Sequence, residues 1–310
     1  MKKIILSFGS VLLGIFVGLS ILDSGSEYAM EKKLWYAQKQ FEIIARDPKS
    51  VPDKNFDELI ARYEGIIRQH PDSDFTPKIY TKIGKIYIMR QNYVKARESY
   101  QEVLKRYPKN SFLCADALLN VGNSYRDEGN RSVALKTYRE IQDRYPLTLS
   151  GINMPLFIAD FYLREKNVTE SANALRDAIG FYQKIAQEHP HTEWEFQARW
   201  LLSTTYFSQQ KWDLGLQALG GLLQDFSNSE YMNRQSITNI IKTINTVAAV
   251  NMKSFDPAIS LYKNFIAKNP DNRLNSFLQA NIKALQELKD KNVSLKIVEP
   301  GAGATGGKSK

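Results

Sequence analysis

Cysteine and histidine are nearly absent. One cysteine, Cys114, and three histidines, His70, His189 and His191, are all that 310 residues supply of the side chains that most often bind metals or carry nucleophilic chemistry. A lone cysteine excludes an intrachain disulfide framework. Cys114 stands at the head of an amphipathic segment and reads as a small core residue. His70 and His189 stand just before Pro71 and Pro190, where a side chain can meet the last carbonyls and the negative pole of a helix. No metal centre follows from three scattered imidazoles. Acid is also scarce: 33 Asp and Glu against 42 Lys and Arg leave a net charge of +9. That excess is spread along the chain, and no basic run interleaved with aromatics or nucleic-acid motif appears, so it reads as a solvated surface. Acidic pairs such as Glu188 and Glu193 have no apolar setting to raise a pKa and read as surface. No nucleophile, base and oxyanion set converges, so the chain reads as a non-enzyme with no cofactor.

What is present is a repeat. In residues 77–108, Ile79, Ile83, Ile86 and Tyr87 recur at helical spacing. A break follows at Arg90, Gln91 and Asn92. A second stripe runs through Ala96, Tyr100, Val103, Leu104 and Tyr107 until Pro108 stops it. Gly84 lies mid-helix, where glycine costs about 1 kcal/mol against alanine, so a close approach is expected there, with Ala96 as its partner. Gly122, Tyr125, Ala134, Tyr138 and Pro146 then repeat Gly84, Tyr87, Ala96, Tyr100 and Pro108 in the same order and internal spacing.

This layout resembles the tetratricopeptide repeat (TPR), a helix–turn–helix of 34 residues with small residues at two crossing points and a closing proline. The resemblance implies an all-α chain, an α-α superhelix or TPR solenoid of about six helix pairs. The pairs span about 27–71, 75–108, 112–146, 150–190, 194–227 and 235–270, with a capping helix over 271–291. The first pair is degenerate. In the fourth, residues 166–171 are expected to form a longer loop than the family uses. The first helix of the sixth, residues 237–250, fits the pattern poorly. Residues 292–310 read as a flexible basic tail.

Residues 4–22 form an uncharged apolar run behind Lys2 and Lys3, long enough to cross a bilayer of about 30 Å. Residues 1–26 therefore read as a signal anchor or a cleaved signal peptide, and both export the rest of the chain. No cysteine follows the run to carry a lipid. Residues 302–309, AGATGGKS, loosely match a phosphate-binding loop, but that motif needs a helix after its Lys-Ser. Asn130, Asn167 and Asn292 open glycosylation sequons, which matter only in a eukaryotic secretory host.

The TPR resemblance also implies an inner face built from the first helix of each pair. By that register Lys78, Thr81, Lys85 and Ile88 face inward from the second pair, Asn123 and Arg126 from the third, and Trp200, Thr204 and Phe207 from the fifth. Asn123 matches an asparagine of carboxylate-clamp TPRs, but the lysine expected four residues earlier is Leu119, which leaves the clamp incomplete. Helix ends of the Tyr-Pro and His-Pro kind make the chain similar to bacterial cell-envelope TPR proteins of the BamD, YbgF and YfgM type. The implied role is a membrane-tethered, periplasm-facing scaffold for protein–protein interaction. The alternatives are a cleaved, secreted periplasmic protein with a purely structural role in a complex and, remotely, an enzyme or nucleotide binder. The implied partners are other proteins or peptide segments, and the membrane through the N-terminal run.

Overall fold

The computed structural model describes residues 27–291. The apolar run at 4–22, the phosphate-loop-like tail and the sequon at Asn292 lie outside them. The described residues form thirteen α-helices and no strand: α1 (Glu27–Arg46), α2 (Asp53–Gln69), α3 (Thr76–Met89), α4 (Tyr93–Arg106), α5 (Ser111–Asp127), α6 (Arg131–Arg144), α7 (Leu149–Arg164), α8 (Val168–Glu188), α9 (Glu193–Ser208), α10 (Trp212–Phe226), α11 (Arg234–Thr246), α12 (Asp256–Lys268) and α13 (Asn275–Asp290). The chain divides into two compact units between Met154 and Pro155, inside α7. In the first unit α1 packs on α2, α2 on α3, α3 on α4 and α5, and α5 on α6. In the second, α8 packs on α9, α9 on α10, α10 on α11 and α12, and α12 on α13. Among the described residues no helix is long and apolar enough to cross a membrane.

One side chain recurs at the centre of nearly every pair. Tyr63, Tyr100, Tyr138, Tyr182 and Tyr262 are all fully buried, each eight residues before a proline. That proline stops the second helix by chemistry. His70, Tyr107, Tyr145, His189 and Asn269 each precede it at φ between −135 and −123 and ψ between 46 and 67. Proline's ring excludes the α conformation from the residue before it, so the helix cannot continue. The fifth pair has Leu219 for tyrosine and Ser227 for proline, and there the last residue stays helical, with Ser227 at φ −53 and ψ −29. At His70 and His189 the helix is closed by the backbone N–H donating to Ile66 and Ile185, not by the imidazole. Cys114 is buried, and its thiol donates to the Tyr107 carbonyl at 3.3 Å.

The close approach at Gly84 is real, but its partner is the Tyr100 ring, not Ala96. A Cβ on Gly84 would lie 2.3 Å from that ring, and one on Gly122 would lie 2.5 Å from the ring of Tyr138. Tyrosine reaches across the helix interface where alanine is too short, so the glycine makes room for the ring. In the fifth pair Leu219 is smaller than tyrosine, and the position matching Gly84 is Ser203, also buried.

The turn within a pair is equally uniform. Gln91, Gly129, Lys166 and Gln210 take positive φ of 57, 91, 59 and 57. The next N–H donates to a tyrosine carbonyl five residues back: Asn92 to Tyr87 and Asn130 to Tyr125 at 2.8 Å, Asn167 to Tyr162 and Lys211 to Tyr206 at 2.9 Å. This is the Schellman closure of a helix end. Asn92, Asn130 and Asn167 then cap the next helix by accepting from the N–H three residues on. The long loop expected at 166–171 is therefore absent. The turn there has the same length as the others, and the extra residues extend α8 to 21. The poor fit of 237–250 has a cause as well, since α11 gives way to a π-helical turn, Val247–Asn251, before the sixth turn. In α13, Leu278, Ile282 and Leu285 are buried, whereas Phe277 is exposed.

Two outcomes follow. Gly84→Ala should destabilise the first unit by about 1–3 kcal/mol through overpacking, read by denaturant unfolding. Adding it to Tyr100→Leu should cost almost nothing beyond Tyr100→Leu alone, because the ring it collides with is gone. Burial raises the hydroxyl pKa of all five tyrosines, that of Tyr138 to about 12. The unfolded chain releases these protons near pH 10, below the folded chain, so stability should be intact below about pH 10 and fall above it. Melting temperature against pH, with tyrosinate absorbance, checks this. The exposed tyrosines ionise first, so the signature is a second rise in absorbance that coincides with unfolding, and a melting temperature unchanged well above about pH 10 would contradict it.

Candidate functional site

In the first unit the first helices of two successive pairs, α1 and α3, leave a cavity of about 310 Å³ between them. Leu34 and Trp35 of α1, Phe75 just before α3, and Ile79 of α3 give it apolar walls, and Glu31 and Gln38 on the α1 side and Lys78 and Lys82 on the α3 side complete its lining. The arrangement follows from the sequence of α3. Ile79, Ile83 and Ile86 point into the core, and Lys78, Lys82 and Lys85 fall on another stripe at spacings of four and three. No acidic residue occurs anywhere in α3. Among the described residues none of the three lysines makes an ion pair. Lys78 lies 5.8 Å over the Phe75 ring and Lys82 lies 4.2 Å over the ring of Phe41. Burial pulls the Lys82 ammonium below the usual lysine range, Lys85 pulls it further, and Glu42 opposes both. Glu42 is itself held by Gln38 and Lys39, each at 3.0 Å. The result is an apolar slot with one carboxylate, Glu31, on its α1 side and a row of lysines outside any ion pair on its α3 side.

The expected inner-face residues separate into two groups. Lys78 and Lys85 are exposed and belong to this row. Thr81 donates its hydroxyl to its own helix at the Pro77 carbonyl, 3.1 Å. Asn123 accepts from the hydroxyl of buried Tyr138 at 2.9 Å. Arg126 pairs with its neighbour Asp127 at 2.9 Å. Trp200, Thr204 and Phe207 belong to the second unit. Trp200 packs against that unit's core. Phe207 stacks on Trp212 at 6.2 Å and fills the space over Gly215. Thr204 donates to the Trp200 carbonyl and lines a cavity of about 900 Å³ with Leu156, Leu163, Val168, Leu175 and Arg176. Among the described residues no three His, Cys, Asp or Glu side chains group to hold a metal.

Tetratricopeptide repeat family models match residues 77–110 and 116–148. The chain carries tetratricopeptide repeats. These two TPRs are α3 with α4 and α5 with α6, and the cationic row lies on the first helix of the first of them. Similar solved structures include BtubC from P. vanneervenii, 13% identical over 91% of this chain and 99% of that one, with a TM-score of 0.39. The C-terminal part of a TPR repeat-containing protein from Cytophaga hutchinsonii is 16% identical over 84% and 99%, with a TM-score of 0.35. A tetratricopeptide repeat protein from Parabacteroides merdae is 14% identical over 80% and 99%, with a TM-score of 0.32. No curated protein matches the chain. TPRs mark a protein-interaction scaffold.

TPR register alone missed Leu34, Phe75 and Lys82. The pocket depends on two helices from different pairs, which the register of one repeat does not describe. Three lysines at spacings of four and three on a helix without acid were the available signal. Asn123 was selected by register as a partner-binding residue, yet its oxygen serves the fold. Asn123→Leu should therefore remove a hydrogen bond from the buried Tyr138 hydroxyl and lower stability by about 1–3 kcal/mol, measured by chemical unfolding. A fully stable variant would return Asn123 to the binding surface.

Proposed function

We propose that this TPR chain is a membrane-tethered scaffold facing the periplasm that recruits a partner in envelope assembly or quality control and has no catalytic role. The observation that carries the partner-binding part is the slot between α1 and α3. Leu34, Trp35, Phe75 and Ile79 offer apolar contact, Lys78 and Lys82 line the slot opposite Glu31, and Lys85 continues the lysine row along α3, none of the three in an ion pair. Such a surface suits a helical or extended segment that is apolar on one side and acidic on the other. The tethering part is supported by residues 1–26, two lysines followed by an apolar run of membrane-spanning length. The similarity to cell-envelope TPR proteins of the BamD, YbgF and YfgM type supports the location.

A defined probe tests the slot. The full chain in detergent should bind an amphipathic Leu/Glu peptide, and Lys78→Glu with Lys85→Glu should weaken it at least about tenfold at low salt. The Gln counterpart of the peptide should bind weakly to both proteins. Equal binding of the acidic peptide to wild type and variant would reject the lysine row. Location is read separately: the chain should sediment with membranes, resist carbonate extraction and be cut by protease only once the periplasm is opened. A soluble chain whose mass lacks the N-terminal run would favour the cleaved form.

A further inference from the structure

The two end helices of the described chain face water differently. In α13 the exposed face is polar except for Phe277 and the small side chains of Ala280 and Ala284, as a terminal helix covering a helical stack requires. In α1 Met30, Ala37, Phe41 and Ile44 are buried, and the opposite side carries Tyr28, Lys32, Trp35, Tyr36, Lys39 and Ile43. These fall at spacings of three and four, so they make one stripe along the helix, with Trp35 on the border that it shares with the slot. The apolar members are open to solvent: Tyr28 is 67% exposed, Trp35 56%, Tyr36 53% and Ile43 65%. Trp35 and Tyr36 meet edge to face at 5.0 Å, and Lys39 lies 5.9 Å over Trp35 as well as 3.0 Å from Glu42. The stripe itself contains no acid. Glu31 lies towards the slot, and Glu42 flanks the stripe where it pairs with Lys39.

We infer that this outer face of α1 lies in the headgroup–acyl boundary of an anionic phospholipid bilayer, with α1 along the membrane surface. This rests on the reading of residues 4–22 as a membrane anchor. Only residues 23–26 separate that run from α1, and five Cα steps span at most about 17 Å, so the start of α1 cannot leave the surface. A helix held there with tyrosine and tryptophan rings and lysines on one side has the composition of an interfacial segment. The rings seat at the headgroup level, and the lysine stems run along apolar surface to reach phosphate. Charge complementarity with anionic headgroups favours lipid over a second copy of this chain, since two basic stripes repel each other.

The full chain in Cys114→Ser background, with a nitroxide on Ile43→Cys, tests this in vesicles of phosphatidylcholine and phosphatidylglycerol. Val94→Cys on α4, also exposed, is the reference. The ratio of collisions with oxygen to collisions with a water-soluble nickel chelate should be at least about threefold higher at 43 than at 94. Lys32→Glu with Lys39→Glu should bring it back to the reference, and both changes are on exposed positions that leave the core untouched. Equal ratios at 43 and 94 would overturn the inference. Spin–spin broadening between labels at 43 would also overturn it, because the face would then belong to a second copy. The mass of the chain recovered from cell membranes is an independent readout. Loss of residues 1–26 would defeat the anchor, whereas a retained run with a water-exposed Ile43 would defeat only the interfacial placement.

Discussion

The packing of a second-helix tyrosine against its pair is the constraint from which the rest follows. A tyrosine buries on the order of 150–250 Å² and has one polar atom to satisfy. Five pairs place one at the same distance from a closing proline and leave it almost without exposure. In the two pairs with family matches, the ring lies against a glycine of the first helix. Asn123 accepts from the Tyr138 hydroxyl at 2.9 Å and Asn245 from that of Tyr262 at 2.7 Å, whereas the buried Tyr63 hydroxyl has no such partner. Between pairs, longer side chains add smaller ties. Arg97 lies 4.2 Å over Tyr125 and pairs with Glu128 at 2.8 Å, while Arg90 reaches back to Asp57.

Much of this was legible because the determinants are local. Proline fixes the residue before it, glycine marks a close approach, and tyrosine and alanine recur in register. Where the reading failed, the missing information was not local in the same way. That Gly84 faces Tyr100 and not Ala96 depends on how far a ring reaches across an interface. That residues 166–171 hold no long loop depends on a turn in which Lys166 takes φ 59 without being glycine. The asparagine that follows it was the available sign, since Asn92 and Asn130 occupy the same cap. The surplus of residues had to go somewhere, and lengthening α8 keeps its buried stripe through Ala174, Ala178, Tyr182 and Ile185.

The surface is what the repeat leaves unspecified. Each helix commits one face to the core, and the family pattern says which face remains but not what it carries. The inner-face register named Asn123, Phe207 and Trp200 alongside Lys78 and Lys85, yet the first three are drawn into hydrogen bonding, stacking or core contact. The difference is chemical. A large aromatic or an amide near a buried hydroxyl finds partners within its own unit, whereas an ammonium on a helix without acid has none to find.

That contrast limits where a partner can dock in the first unit. The cationic row does not continue into the next TPR. On α5 the register gives Asp116 and Leu119 where α3 has Lys78 and Thr81, and Asp116 already accepts from Ser150 at 2.6 Å. Arg126, the remaining cation of that face, pairs with Asp127. An acidic segment approaching these two TPRs thus meets the lysine row of α3, with apolar walls beside it. Charge of this kind mainly speeds and orients encounter and is screened by salt. The slot between Leu34, Trp35, Phe75 and Ile79 is what can hold a partner after encounter, since apolar contact survives at ionic strengths that erase the steering.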